Sequence, residues 1–144
     1  MHDMSDSTYF NIEKDYSLED LAAFHGHLGP YLVLGYRIGR YARNYVCSDP
    51  FHLSVEVQCS GTPPQSCIVD GIQLGSGCTY GKRNIEIKVG QSVKCIFKAD
   101  NIRVAIIPKP IKNVGEEDAK IEALSEAMYQ MSDVDLFEVM SDKS

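Results

Sequence analysis

Cys67-Ile68-Val69-Asp70-Gly71-Ile72-Gln73-Leu74-Gly75-Ser76-Gly77-Cys78-Thr79-Tyr80-Gly81-Lys82 packs two cysteines, an aspartate, a glutamine, a lysine and four glycines into one segment. Pro63 and Pro64 lie just upstream; they halt a preceding strand and pre-set the first turn of a helix. A helix over about 67–75 places Cys67 among free backbone N–H groups at the positive end of the dipole. That setting is expected to lower the thiol pKa and favour thiolate, the form that binds metals or attacks. Cys67, Asp70 and Leu74 then share one face, and Ile68, Val69 and Ile72 the apolar one. Gly75, Gly77 and Gly81 bracket Cys78 in a permissive loop that lets backbone approach a bound atom.

Working outward, alternation marks strands on both sides. Phe51, Leu53, Val55, Val57 and Cys59 alternate with His52, Ser54, Glu56 and Gln58, a strand over about 51–59. Ile85, Ile87 and Val89 begin a second alternating run, and Gly90-Gln91 suits a two-residue type II′ hairpin into the next, 92–98. Ala99-Asp100-Asn101 turns again into Ile102–Ile107, stopped by Pro108 and Pro110. The expected sheet is an antiparallel meander over about 85–107, joined by the 51–59 strand.

Helical signals occupy the flanks. Ser17, with Glu19 and Asp20 behind it, caps a helix over about 17–25 that Gly26 ends. Pro30 opens a second helix to about residue 47, on which Gly35 and Gly39 form a ridge that admits another backbone, from this chain or a second copy. Arg37, Arg40 and Arg43 punctuate its polar side. Ile121, Leu124, Met128 and Met131 form a core stripe on a helix over about 116–131, and Leu136–Met140 reads as an edge strand. Residues 1–16 show no sustained period, although Tyr9, Phe10 and Ile12 could pack down. Helices and a mainly antiparallel sheet segregate along the chain, so the fold class is α+β in a single domain spanning 1–144.

Composition narrows the function. With 144 residues, a net charge of −6 and no concentrated basic patch, the chain is not built to neutralise many phosphates, which excludes a nucleic-acid partner. No apolar run spans a membrane, and the polar start lacks the order of a secretory signal, so a cytoplasmic location is expected. Five cysteines without a CxxC pair argue against a disulfide framework. Cys59 and Cys95 fall on apolar strand faces and belong to the core; Cys47 ends a helix without an evident partner.

The remaining soft ligands lie beside glycine-rich breaks: His25 and His27 at the first, Cys67 and Cys78 around the third helix. Imidazole with thiolate suits zinc, and also nickel, iron or copper. Asp70 could ligate, or orient a histidine N–H, and Lys82 could hold a substrate anion. His2 and His52 sit in the tail and on the polar strand face and are discounted. A second reading makes Cys67 an activated thiolate with Cys78 as its resolving partner.

Phe24-His25-Gly26-His27-Leu28-Gly29-Pro30, followed by Leu34-Gly35-Tyr36-Arg37, and the Cys67–Lys82 segment together resemble the FmdE family, which takes its name from formylmethanofuran dehydrogenase. The resemblance runs over about residues 17–140. It implies an α+β core that pairs as a homodimer and a His/Cys-lined cavity holding a divalent transition metal, zinc first, with nickel or iron as alternatives. On it, His25, His27, Cys67 and Cys78 are the metal ligands, and Cys67, Asp70 and Lys82 the catalytic set. The implied setting is one-carbon metabolism and methanogenesis, with a small-molecule ligand. The alternative role is a non-catalytic accessory component of a larger molybdenum or tungsten dehydrogenase complex. Many relatives carry a cysteine where this chain has Gly29, which removes one thiolate. Others append a cysteine-rich zinc finger, which is not expected after residue 140 here.

Overall fold

The computed structural model describes Tyr9 and residues 15–143. The expectations for Phe10, Ile12 and most of 1–16 lie outside these; Tyr9 is largely exposed, and Tyr16 packs against the core. Helices α1 (Leu18–His25), α2 (Pro30–Tyr45), α3 (Ile68–Ser76), α4 (Asp118–Gln130) and α5 (Asp133–Leu136) accompany strands β1 (Ser54–Cys59), β2 (Ile85–Val89), β3 (Lys94–Ala99), β4 (Ile102–Pro108) and β5 (Phe137–Lys143). The five strands form one sheet in the order β2-β1-β3-β4-β5, so the α+β class holds.

The local signals act where the sequence puts them. Ser17 caps α1 with a reciprocal box: its hydroxyl accepts from Asp20 N–H while the Asp20 carboxylate accepts from Ser17 N–H. Gly26 ends α1 in the left-handed region at φ 114°, and Pro30 occupies the first turn of α2. In β1, Val55, Val57 and Cys59 are buried while their neighbours are half-exposed, and Cys95 and Phe97 continue that face on β3. The expected edge strand at Leu136–Met140 is present as β5, antiparallel to β4, but it starts at Phe137 because Leu136 ends α5, and it runs on to Lys143.

The meander is corrected. β2 does not pair with β3; β1 lies between them, parallel to β2 (Val55↔Ile85, Cys59↔Val89) and antiparallel to β3. A two-residue hairpin at Gly90-Gln91 cannot make this connection, because β2 and β3 are two strand spacings apart, roughly 9–10 Å. The link therefore extends to Val93, and α3 becomes the crossover of a β1–α3–β2 unit. The mixed sheet remains mostly antiparallel.

α2 is the central helix, buried continuously from Leu32 to Gly39. It crosses α3 at a contact of four glycines, with no side chain between the backbones. A Cβ built on Gly35 would stand 2.1 Å from Ile68 O, and one on Gly71 would stand 2.0 Å from Leu32 O. Gly39 and Gly75 are as tightly opposed: their Cβ atoms would lie 2.7 Å from Ser76 N and 2.3 Å from Tyr36 O. The Gly35/Gly39 ridge thus serves packing within the chain. Among the described residues no helix is long and apolar enough to cross a membrane.

Candidate functional site

The N-terminal end of α3 meets the C-terminal end of α1. His25, in the last turn of α1, holds its Nδ1 2.6 Å from Oδ2 of Asp70, in the first turn of α3. A carboxylate only accepts, so Nδ1 carries a proton, and Nε2 has no partner among the described residues. The His27 ring stands 5.0 Å from the His25 ring, centroid to centroid, with its Nδ1 3.2 Å from Leu28 O.

Cys67 closes a one-turn 3-10 segment (Gln65–Cys67) and caps α3. Its thiol is not activated as the helix dipole alone suggests. Burial pushes its pKa up, and the negative charge of Asp70 adds to the rise. The expected thiolate is therefore replaced by a neutral thiol, because desolvation and a nearby carboxylate both oppose a second anion.

His25, His27 and Cys67 line one cavity of about 290 Å³. Gly29 to Leu32 form part of its wall, and Ile121 and Leu124 of α4 another part. The α4 stripe thus divides: Met128 is buried in the core while Ile121 and Leu124 face the cavity. Pro63 and Pro64, joined by a cis peptide, and the segment Lys112–Gly115 complete it. The sequence reading missed Lys112. It follows the Pro108/Pro110 stop in a connection without periodicity, and only the fold returns it to the cavity. The volume is at the small end of ligand sites, and the walls are largely apolar with a few converging polar groups.

Two expected participants lie elsewhere. Cys78 is fully buried, its Sγ 3.4 Å from Leu53 O, and its thiol pKa is raised by burial. Lys82 reaches Thr79 Oγ1 at 3.1 Å and rests over the Phe51 ring; burial lowers its pKa. The reason is the length of α3: nine helical residues extend about 13 Å, so its two ends serve different places. That separation leaves Cys67 and Cys78 badly placed as a disulfide pair or as joint ligands. All five cysteines are free, with Cys59 and Cys95 buried as expected. His52 is paired with Asp100 at 2.6 Å.

In kind, the donors around the cavity suit a divalent transition metal: two imidazoles, a thiol and a carboxylate behind one imidazole. In arrangement they fall short, since among the described residues no group of three or more His, Cys, Asp or Glu side chains could hold a metal ion. Gly29 stands at this point. A Cβ there would meet His27 Cε1 at an ordinary contact of 3.4 Å, so the position has room for a further donor beside the imidazole.

The model of the family described as "FmdE, Molybdenum formylmethanofuran dehydrogenase operon" matches residues 24–138. No curated protein matches the chain.

Proposed function

This chain belongs to the FmdE family, and from that premise we propose that it serves formylmethanofuran dehydrogenase-related one-carbon metabolism by binding a small metabolite in the His25/His27/Cys67 cavity. The observation that carries the reading is the gathering of those three side chains on one small apolar cavity, with His25 oriented by Asp70. Lys112, exposed where it lines the cavity, is placed to meet an anionic group on the ligand, the role first assigned to Lys82. The His25–Asp70 pair orients an imidazole whose Nε2 is open to a bound molecule, suited to exchanging a proton with it.

We further propose that a divalent transition metal, zinc first, would recruit His25 and Cys67 with His27 as the third donor, side chains that share the cavity but must draw together to reach one ion. Bound, it would supply Lewis-acid polarisation or an activated water. The test is metal analysis of untagged protein after equilibration with zinc, for the wild type, Cys67→Ala and His25→Ala. About one ion per chain, lost in both variants, is expected. Full metal content in either variant removes that residue from the site. A second reading, a metal-free imidazole base, is favoured by the assembled His25–Asp70 pair and the unassembled donor group. It holds if the wild type takes up no zinc.

As partners we propose a second copy and, through the family link, a larger dehydrogenase complex. The edge strand β2 supports the homodimer. Its core-side residues Ile87 and Val89 are 48% and 74% exposed, whereas their β1 neighbours Val57 and Cys59 are fully buried. Antiparallel pairing of two β2 strands about Ile87 sets Glu86 opposite Lys88 of the second copy, twice, and Ile85 opposite Val89.

A further inference from the structure

The arginines at three-residue intervals on α2 take no part in the cavity described above. Arg37, Arg40 and Arg43 line a different cavity, of about 580 Å³, together with Asp15, Asn44 and Asp133. Two of them have structural duties. Arg37, its side chain 5% exposed, donates through Nη1 to the carbonyls of Met128 and Tyr129 and through Nη2 to Asp133, which ties α4 and its C-terminal turn to α2. Its buried Nε has no hydrogen-bond partner among the described residues. Arg43 is paired with Asp15 at 2.8 Å.

Arg40 differs from both. Its guanidinium lies over the Tyr36 ring, 5.5 Å from the centroid, and no acceptor among the described residues takes a hydrogen bond from it. The ring beneath it is fixed, because Tyr36 is fully buried and its hydroxyl accepts from Tyr16 N–H at 2.9 Å. The cation–π contact with that ring holds the guanidinium in place without using its N–H groups, and arginine grips a planar or tetrahedral oxyanion with two such bonds. Charge points the same way. Among the described residues, two carboxylates face three guanidiniums in this cavity, in a chain of net charge −6.

We propose that this second cavity binds a small oxyanion, the phosphate or carboxylate group of a metabolite, with Arg40 as its bidentate donor. Arg37 and Arg43, each offset by its own carboxylate, frame the cavity without being consumed by the ligand. An isolated guanidinium at the surface would attract anions only weakly through screened charge. A half-buried one held over a fixed aromatic ring is already organised for binding.

The experiment follows the arginine Nε–H resonances of the full chain by ¹H–¹⁵N NMR while inorganic phosphate or acetate is added at constant ionic strength set with chloride. The expected result is a saturable shift at Arg40 with at least one of the two anions. The anion that saturates identifies the ligand group as phosphate or carboxylate. Arg40→Ala should weaken that binding at least tenfold, and Arg40→Lys, which keeps the charge but not the fork, by several-fold. If neither anion saturates, or chloride moves the resonance equally, the proposal is overturned. It is also overturned if both variants, folded by their melting curves, bind as the wild type does.

Discussion

Gly71→Ala should do far more damage than the loss of one small residue implies. In an ordinary helix interior the change is favourable, by about 0.5–1 kcal/mol, because alanine restricts the unfolded chain. Here the new methyl would stand 2.0 Å from Leu32 O, 2.5 Å from Tyr36 N and 2.9 Å from the Gly35 carbonyl carbon. All three are main-chain atoms of a buried helix, so no side chain can swing aside. Relief requires α3 to withdraw from α2 by on the order of 1 Å along a tightly packed contact. Overpacking of this kind typically costs about 1–3 kcal/mol, and a backbone that cannot yield belongs at the upper end. After the helical gain is subtracted, a net loss of about 2 kcal/mol is expected, a shift of about 1 M in a urea midpoint. The site should register it too, because Asp70 is the residue before Gly71. A withdrawal of on the order of 1 Å would take the 2.6 Å His25–Asp70 contact beyond hydrogen-bonding range. The assays are urea unfolding and the His25 Nδ1–H resonance, with Gly81→Ala, whose Cβ meets nothing within 4 Å, as control. A Gly71→Ala protein as stable as the wild type, with that resonance unchanged, would refute the close-crossing argument.

Three further outcomes follow from the same geometry. Because burial and Asp70 raise the Cys67 pKa, alkylation by iodoacetamide in a Cys47→Ser background should be slow at neutral pH and speed up only above the usual free-thiol value of about 8.5; Asp70→Asn should move that rise to lower pH, and a native midpoint at or below the free-thiol value would contradict the assignment. Gly29→Cys should raise zinc affinity by at least about tenfold, since outer partners of a metal site alone are worth that much; unchanged affinity by competition with a chromophoric chelator would mean that no ion sits beside His27. Glu86→Lys and Lys88→Glu should each weaken self-association in sedimentation equilibrium, and the double swap should restore it; single variants that associate like the wild type would remove β2 from the interface.

What was legible in the sequence was what depends on near neighbours. Ser17, Gly26 and Pro30 mark their helix ends by chemistry confined to a few residues, and the alternation around Cys59 and Cys95 identifies a buried face. Alternation tells which side of a strand faces the core but not which strand lies alongside. That is why Gly90-Gln91 reads as a hairpin when β1 in fact separates β2 from β3. The site shows the same limit. His25, Cys67 and Asp70 come together as their spacing and types suggest, whereas Cys78 and Lys82 are carried off by the length of α3. One error was avoidable from the residues alone. Asp70 stands three positions after Cys67, one helical turn away, and its charge acts on the thiol against the helix dipole.

The two functions of the Cys67–Lys82 segment constrain each other. Ile68, Gly71, Ile72 and Gly75 seat α3 against the core and α2, while Cys67 and Asp70, interleaved with them, face the cavity and His25. A helix seated on glycine backbone has little freedom to slide or tilt, so the donor side of the cavity is held to the tolerance of the helix crossing. The opposite wall is different in kind. Lys112, Asn113 and Gly115 are exposed, belong to the connection between β4 and α4, and are braced locally by Gly115 N–H donating to Asn113 Oδ1. Ligand discrimination can therefore change through 112–115 without disturbing the imidazole–carboxylate pair, whereas any change at the crossing alters both stability and chemistry. Substitution of Asn113 should accordingly shift ligand preference while leaving the unfolding free energy within about 0.5 kcal/mol of the wild type.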